Sequence, residues 1–195
     1  MTPVDTFGIM TIPNVTVRTA TEHDAARLAE VHIAAWRATY RGVMSDEYLE
    51  GLDVGRASLA WRRNILEPKN GTVHLVVQSG NDLAGFAILG AAPRDSGPGT
   101  GQLYAINVHP DWWARGLGSV LFAAVEQKLI ELGFGRAFLW VEKGNNRAIS
   151  FYNKRGWLDD GATLEDTRFA PPVSERRHSR TFAAQGDRPA PPMSP

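Results

Sequence analysis

Cysteine is absent from the 195 residues of this chain. That excludes disulfides, thiolate metal ligands and a cysteine-borne acyl-enzyme, and it fits a reducing compartment. Excess charge is absent as well: Lys+Arg and Asp+Glu both number 21, and the pI is near 7.0. Such a chain projects no long-range field toward nucleic acid or an anionic membrane surface. No apolar run is long enough to span a bilayer, and Met1 to Pro13 carries neither Lys or Arg nor the apolar core of a secretory signal. The sequence therefore reads as cytoplasmic, with neither nucleic acid nor membrane as a partner. His23, His32, His74 and His178 show no ligand spacing with Asp or Glu, so no metal is expected. A Gly-Lys-Ser/Thr phosphate loop and internal repeats are also missing.

What is present suffices for one core: 43% hydrophobic residues, with six Trp and eight Phe. The length predicts one domain. Residues 1–14 read as a flexible leader, 15–183 as the domain, and 184–195 as a disordered Pro-rich tail. Within the domain, Val15 to Arg18 alternates as a strand. Thr21 is placed to cap a helix carrying Leu28, Val31, Ile33, Ala35 and Trp36 toward Tyr40. Ser45-Asp46-Glu47 caps a short helix, and a further helical segment runs from about Gly55 to Leu66. Thr72 to Gln78 and Leu83 to Ala91 form a hairpin across Ser79-Gly80-Asn81-Asp82, and Ala92 to Gly101 is a surface loop. After a central strand and helix, Ala137 to Glu142 is a buried strand. A helix opened by Asn145 or Asn146 ends at Gly156. Trp157 to Phe169 and Glu175 to Phe182 close the fold as an antiparallel pair. This order of elements predicts an α/β architecture: a mixed sheet flanked by helices, its two central strands parallel because a helix joins them.

The chemistry is concentrated between Gln102 and Trp157. A strand through Leu103, Ile106 and Val108 stops at Pro110, and Gly116 and Gly118 open a helix whose apolar stripe is Leu117, Leu121, Val125, Leu129 and Leu132. Gly133 is placed as its C′ residue. A strand entering a Gly-x-Gly turn before a helix presents free main-chain N–H groups at the positive end of a dipole. That arrangement suits a phosphate or diphosphate.

These motifs resemble the GNAT superfamily of acyl-CoA-dependent N-acetyltransferases, over roughly Val15 to Phe182. The family's diphosphate loop reads Gln/Arg-x-x-Gly-x-Gly/Ala after a strand ending in Val-x-Pro. Here Val108-His109-Pro110 precedes Trp113-Ala114-Arg115-Gly116-Leu117-Gly118, with Trp113 where Gln or Arg is usual. The family's Asn-x-x-Ala-x-x-Phe-Tyr-x-x-x-Gly-Phe is matched by Asn145, Ala148, Phe151, Tyr152 and Gly156, with Trp157 for the last Phe. Trp36 to Gly42 and Tyr48-Leu49 look like the acceptor-side helices of a bacterial subgroup.

The resemblance implies acetyl-CoA as co-substrate, held by Ile106, Asn107, Val108, Trp113, Ala114, Arg115, Gly116, Leu117, Gly118, Ser119, Asn145 and Tyr152. It implies a bulge near Asn107 that splays the central strands, with the Asn107 amide pointing at the thioester carbonyl. Tyr152 would be the general acid to the departing thiolate, since a phenol is protonated at neutral pH. The amine acceptor, a small molecule or a peptide, would attack directly in a ternary complex. The family's strand Glu is replaced here by Trp140, so the base is left among Glu142, Tyr104, His109, Glu22 and water. Homodimers are frequent in the family, and a homodimer is the further partner it admits. The rival from another class is a non-catalytic acyl-CoA-binding module.

Overall fold

The computed structural model describes Ile12 and residues 14–182. The expected leader lies outside the described residues except for Ile12 and Asn14, and the expected tail lies wholly outside them. The elements are β1 (Val15–Thr19), α1 (Ala25–Thr39), α2 (Asp46–Glu50), α3 (Val54–Leu66), β2 (Val73–Ser79), β3 (Asp82–Ala91), β4 (Thr100–Val108), α4 (Leu117–Glu131), β5 (Arg136–Glu142), α5 (Asn146–Asn153), β6 (Leu158–Asp166) and β7 (Val173–Thr181).

The strands form one seven-stranded sheet in the order β1-β2-β3-β4-β5-β7-β6. β4 and β5 are its parallel pair, as the connecting α4 requires, and the other neighbours are antiparallel. Strand alternation sends Leu75, Val77, Ala87, Leu89 and Leu103 to one face, against Leu121, Phe122, Val125 and Leu129 of α4. Val76 and Phe86 go to the other face, against Leu28, Ala29 and Val31 of α1 and Trp61 of α3. Each fully buried Val, Leu or Phe among them contributes about 1.5–3 kcal/mol. The sheet is thus covered on both faces, with α1 and α3 on one and α4 and α5 on the other.

Local signals account for the helix ends. The Ser45 hydroxyl accepts from the Tyr48 N–H, Asp53 from Arg56 and Asn145 from Ala148. Gly133 takes φ 84°, and the Gly133 and Phe134 amides turn back to the carbonyls of Ile130 and Leu129. At Thr21 the expected cap is present, on a 3-10 first turn that runs into the helix. A 3-10 turn over Glu22–Asp24 precedes α1, and the Asp24 carboxylate reaches back to accept from the Thr21 N–H. β4 also begins two residues earlier than the apolar pattern indicates, because Thr100 and Gly101 pair with Arg136 and Ala137.

Two irregularities in β4 interrupt the middle of the sheet. Its pairing with β5 covers only Thr100–Leu103 opposite Arg136–Leu139, after which the two strands part. Its pairing with β3 slips between Leu103 and Ala105, leaving Tyr104 as the extra residue. The bulge is therefore at Tyr104 and not beside Asn107 as expected.

Candidate active site

Beyond Val108 the chain makes a 3-10 turn over Pro110–Trp112 and then bends sharply. Ala114 takes φ 60° and Gly116 φ 83°, both left-handed. An alanine at 116 would be strained in that conformation and would also place its Cβ 2.7 Å from the Ile12 Cδ1. The main-chain N–H groups of Ala114, Arg115, Gly116, Leu117 and Gly118 have no acceptor among the described residues, whereas Ser119 and Val120 close the first turn of α4 onto the Gly116 carbonyl. Free amides at a helix start are the ingredients of an anion cradle. Arg115 lies over Trp112 at 4.9 Å, and the Ser119 hydroxyl accepts from Arg155 at 2.6 Å.

The direction of each amide in β4 is set by one bond. The His109 N–H donates to the Ala84 carbonyl at 2.8 Å, so His109 and Ala84 form a hydrogen-bonded pair. Antiparallel ladders alternate, which makes Phe86–Asn107 a bonded pair as well and leaves Ile106 and Val108 turned the other way. Consistently, the Asn107 carbonyl crowds Gly85 of β3, at 2.7 Å from a Cβ placed there. The main-chain groups of Ile106 and Val108 face the gap between β4 and β5; those of Asn107 do not. The expectation that Asn107 supplies the amide to the thioester is corrected on this register.

Trp113 closes over that gap. Its indole N–H donates to the Val108 carbonyl at 2.7 Å, and the Arg147 guanidinium sits 3.5 Å from its ring centroid. Tyr152, on the second turn of α5, is buried between Phe122 and Phe151, and burial raises its pKa above the ordinary phenol value. The phenol is thus protonated across the neutral range.

Two cavities meet here. One, of about 260 Å³, lies on the α4 and α5 side and is lined by Trp112, Ala114, Gly116, Gly118 and Ser119. The other, of about 230 Å³, lies on the α1 side between Trp36, Tyr40, Trp140, Phe169, Glu142 and Glu175. Both are lined by Ile106, Val108, Trp113, Arg147, Ala148 and Tyr152, so the gap in the sheet is where they join. The second cavity has an aromatic wall, with Trp36 5.4 Å from Tyr40 and 5.8 Å from Phe169 between ring centroids. Burial first, and then the charges of Glu175, Glu142 and Asp166, push Tyr40 up to about 12.

The sequence candidates divide accordingly. Ile106, Val108, Trp113, Ala148 and Tyr152 come together at the gap, and Asn145 stands beside it as the cap of α5. Of the residues considered for the base, Glu142 and Tyr104 line the α1-side cavity. Glu22 is ion-paired with Arg62 on the surface. His109 accepts from Asp111 in the 3-10 turn and is not among the lining residues of either cavity. Glu175, Asp166, Phe169 and Arg147 were missed, and only the last was within reach of local reasoning, as the neighbour of Asn146 in the α5 motif.

The arrangement has counterparts. Residues 28–157 match the family model described as Acetyltransferase (GNAT) family. The uncharacterized N-acetyltransferase YuaI of Bacillus subtilis (strain 168) is 30% identical over 138 residues, covering 71% of this chain and 77% of that protein. A spermidine N(1)-acetyltransferase of Thermoplasma acidophilum is 22% identical over 85% of this chain and 98% of its own. Among solved structures, the PaiA N-acetyltransferase of Thermoplasma acidophilum in complex with coenzyme A aligns with a TM-score of 0.71 at 20% identity, covering 86% of this chain and 99% of that one. The fold and the family match thus define an acyltransferase. The chain belongs to the GNAT acetyltransferase family and is an N-acetyltransferase of that type. The rival of a non-catalytic binding module is set aside with it.

Proposed function

We propose that this enzyme transfers the acetyl group of acetyl-CoA to the primary amine of a small-molecule acceptor, by direct attack in a ternary complex. The observation that carries the reading is the window left where β4 and β5 part after Leu103 and Leu139, with a cavity on each face of the sheet. The amides of Ala114 to Gly118 hold the diphosphate. The Ile106 main chain and the Val108 N–H, which have no β5 partner, hydrogen-bond the pantetheine arm in place of a neighbouring strand. One of their N–H groups faces the thioester oxygen, where a donor is worth most as charge develops in the tetrahedral intermediate. The amine nitrogen attacks the thioester carbon from the α1 side, the carbon–sulfur bond breaks, and the Tyr152 hydroxyl gives its proton to the departing thiolate.

Small amines are favoured over a peptide because the acceptor cavity is small, about 230 Å³, and is walled by Trp36, Tyr40, Trp140 and Phe169. The similarity to a spermidine N(1)-acetyltransferase over most of both chains supports the same class.

The test is thiol release from acetyl-CoA over a panel of amines and N-terminal peptides, with wild type and Tyr152→Phe side by side. The expected result is turnover with small amines, and about 10²-fold or more lost in kcat in the variant at unchanged coenzyme A affinity. Turnover confined to peptides would reassign the acceptor, and unchanged turnover in the variant would remove Tyr152 from the mechanism.

A further inference from the structure

Three carboxylates line the α1-side cavity: Glu142 on β5, Asp166 at the end of β6 and Glu175 on β7. Two of them are already engaged. Asp166 accepts from Arg168, through the guanidinium at 2.5 Å and the main-chain N–H at 3.1 Å. Glu142 accepts from the Gly144 N–H at 2.7 Å. The Glu175 carboxylate, half-buried, makes no hydrogen bond and no ion pair among the described residues. It stands directly opposite Glu142 in the β5–β7 ladder, and opposed residues on neighbouring strands share a face. Like charges so placed destabilise a sheet. A fold that seats them together in its reaction cavity holds a site for a cation.

We infer that Glu175 is the general base of the acetyl transfer, taking the proton from an acceptor that enters the cavity as an ammonium ion. The inference rests on the acetyltransferase reading above and adds the group that the sequence did not supply. The ammonium form is drawn in by the two carboxylates and by the faces of Trp36, Tyr40 and Phe169. Glu175 removes one proton and releases it to solvent. The nitrogen lone pair then forms the new bond to the thioester carbon as the carbon–sulfur bond breaks. The second nitrogen proton replaces the one that Tyr152 donates to the thiolate, so a thiol, an amide and one free proton leave the site.

The surroundings of Glu175 suit a base. Burial first, then Asp166 and Glu142, raise its pKa above the usual carboxylate value, while Arg168 opposes them. Tyr40 at the end of α1 also faces it, and Tyr104, Arg147 and Tyr152 line the same cavity. A carboxylate of raised pKa is a stronger proton acceptor.

The experiment measures kcat/KM from pH 6 to pH 10 for wild type, Glu175→Gln and Glu175→Asp with one amine, together with coenzyme A affinity and melting temperature. The expected loss in Glu175→Gln is about 10²-fold or more at pH 7, and it shrinks about tenfold per pH unit toward the amine's own pKa, where solution supplies the free base. Glu175→Asp should keep the wild-type profile at reduced height and carries the comparison if the Gln variant does not fold. A deficit independent of pH, or none, would overturn the assignment while leaving the acetyl transfer intact. A wild type that releases no thiol with any amine would refute the acetyl transfer itself and Glu175 with it.

Discussion

The indole N–H of Trp113 donates to the main-chain carbonyl of Val108 at 2.7 Å, across the mouth of the gap between β4 and β5. Where a ligand amide would pair with the strand, the protein has put its own side chain. The Arg147 guanidinium, 3.5 Å over the ring, holds the indole in place. Trp113→Phe keeps an aromatic ring and removes the competing donor. A hydrogen bond of this kind is worth about 0.5–1.5 kcal/mol net, so acetyl-CoA should bind about two- to tenfold more tightly in the variant by isothermal titration calorimetry.

Gly116 is constrained twice, by φ 83° and by Ile12 at 2.7 Å from any added Cβ. Gly116→Ala should lower acetyl-CoA affinity by about tenfold or more, because the loop amides rotate away from a common target. The melting temperature should fall only by the equivalent of about 1–2 kcal/mol. Equal affinity in calorimetry would show that the diphosphate lies elsewhere.

Trp157 is fully buried, and its indole N–H donates to Glu126 Oε1 at 2.7 Å. Arg180 donates to the same carboxylate and also to the Arg155 carbonyl. Removing that acceptor strands a buried donor and an arginine together. Glu126→Leu should cost about 2–4 kcal/mol in denaturant unfolding, with the loss visible in the unfolding midpoint.

His32 sits edge-on among Trp36, Trp61 and Phe86 at 4.8, 6.0 and 5.6 Å, and burial lowers its pKa from 6.5 to about 4. The unfolded chain therefore binds a proton that the folded chain refuses between those values. The stability contributed by the neutral ring is present above pH 6.5 and is lost as the pH falls toward 4, by an amount on the order of 3 kcal/mol. His32→Leu should flatten the slope of unfolding free energy against pH in that window, and an unchanged slope would assign the acid sensitivity to another group.

What could be read from the sequence was what is encoded by neighbours along the chain. The strand stop at Pro110, the glycines at 116 and 118, and the run from Asn145 to Tyr152 are each set within one turn or one loop, and the matching elements and family came from them. The amide directions in β4 were not legible. They depend on the pairing of His109 with Ala84 and on the bulge at Tyr104, and both belong to a partner strand more than a dozen residues away. Glu175 was hidden for the same reason. On its own strand it is one acidic residue among Ser174, Arg176 and Arg177, and only the ladder to β5 sets it against Glu142. Side chains gathered by long-range register carry no local mark, because a shift of one residue would send every one of them to the opposite face.

The parting of β4 from β5 turns a sheet into a partition with an opening in it. The α1 side and the α4 side are separate compartments, each with its own wall of helices, and they meet where the ladder is missing. In the proposed ternary complex the two reactants approach from opposite directions and meet at that opening. On that proposal neither has to vacate the other's route: the spent carrier would retreat the way it came and the modified amine would leave by the far side.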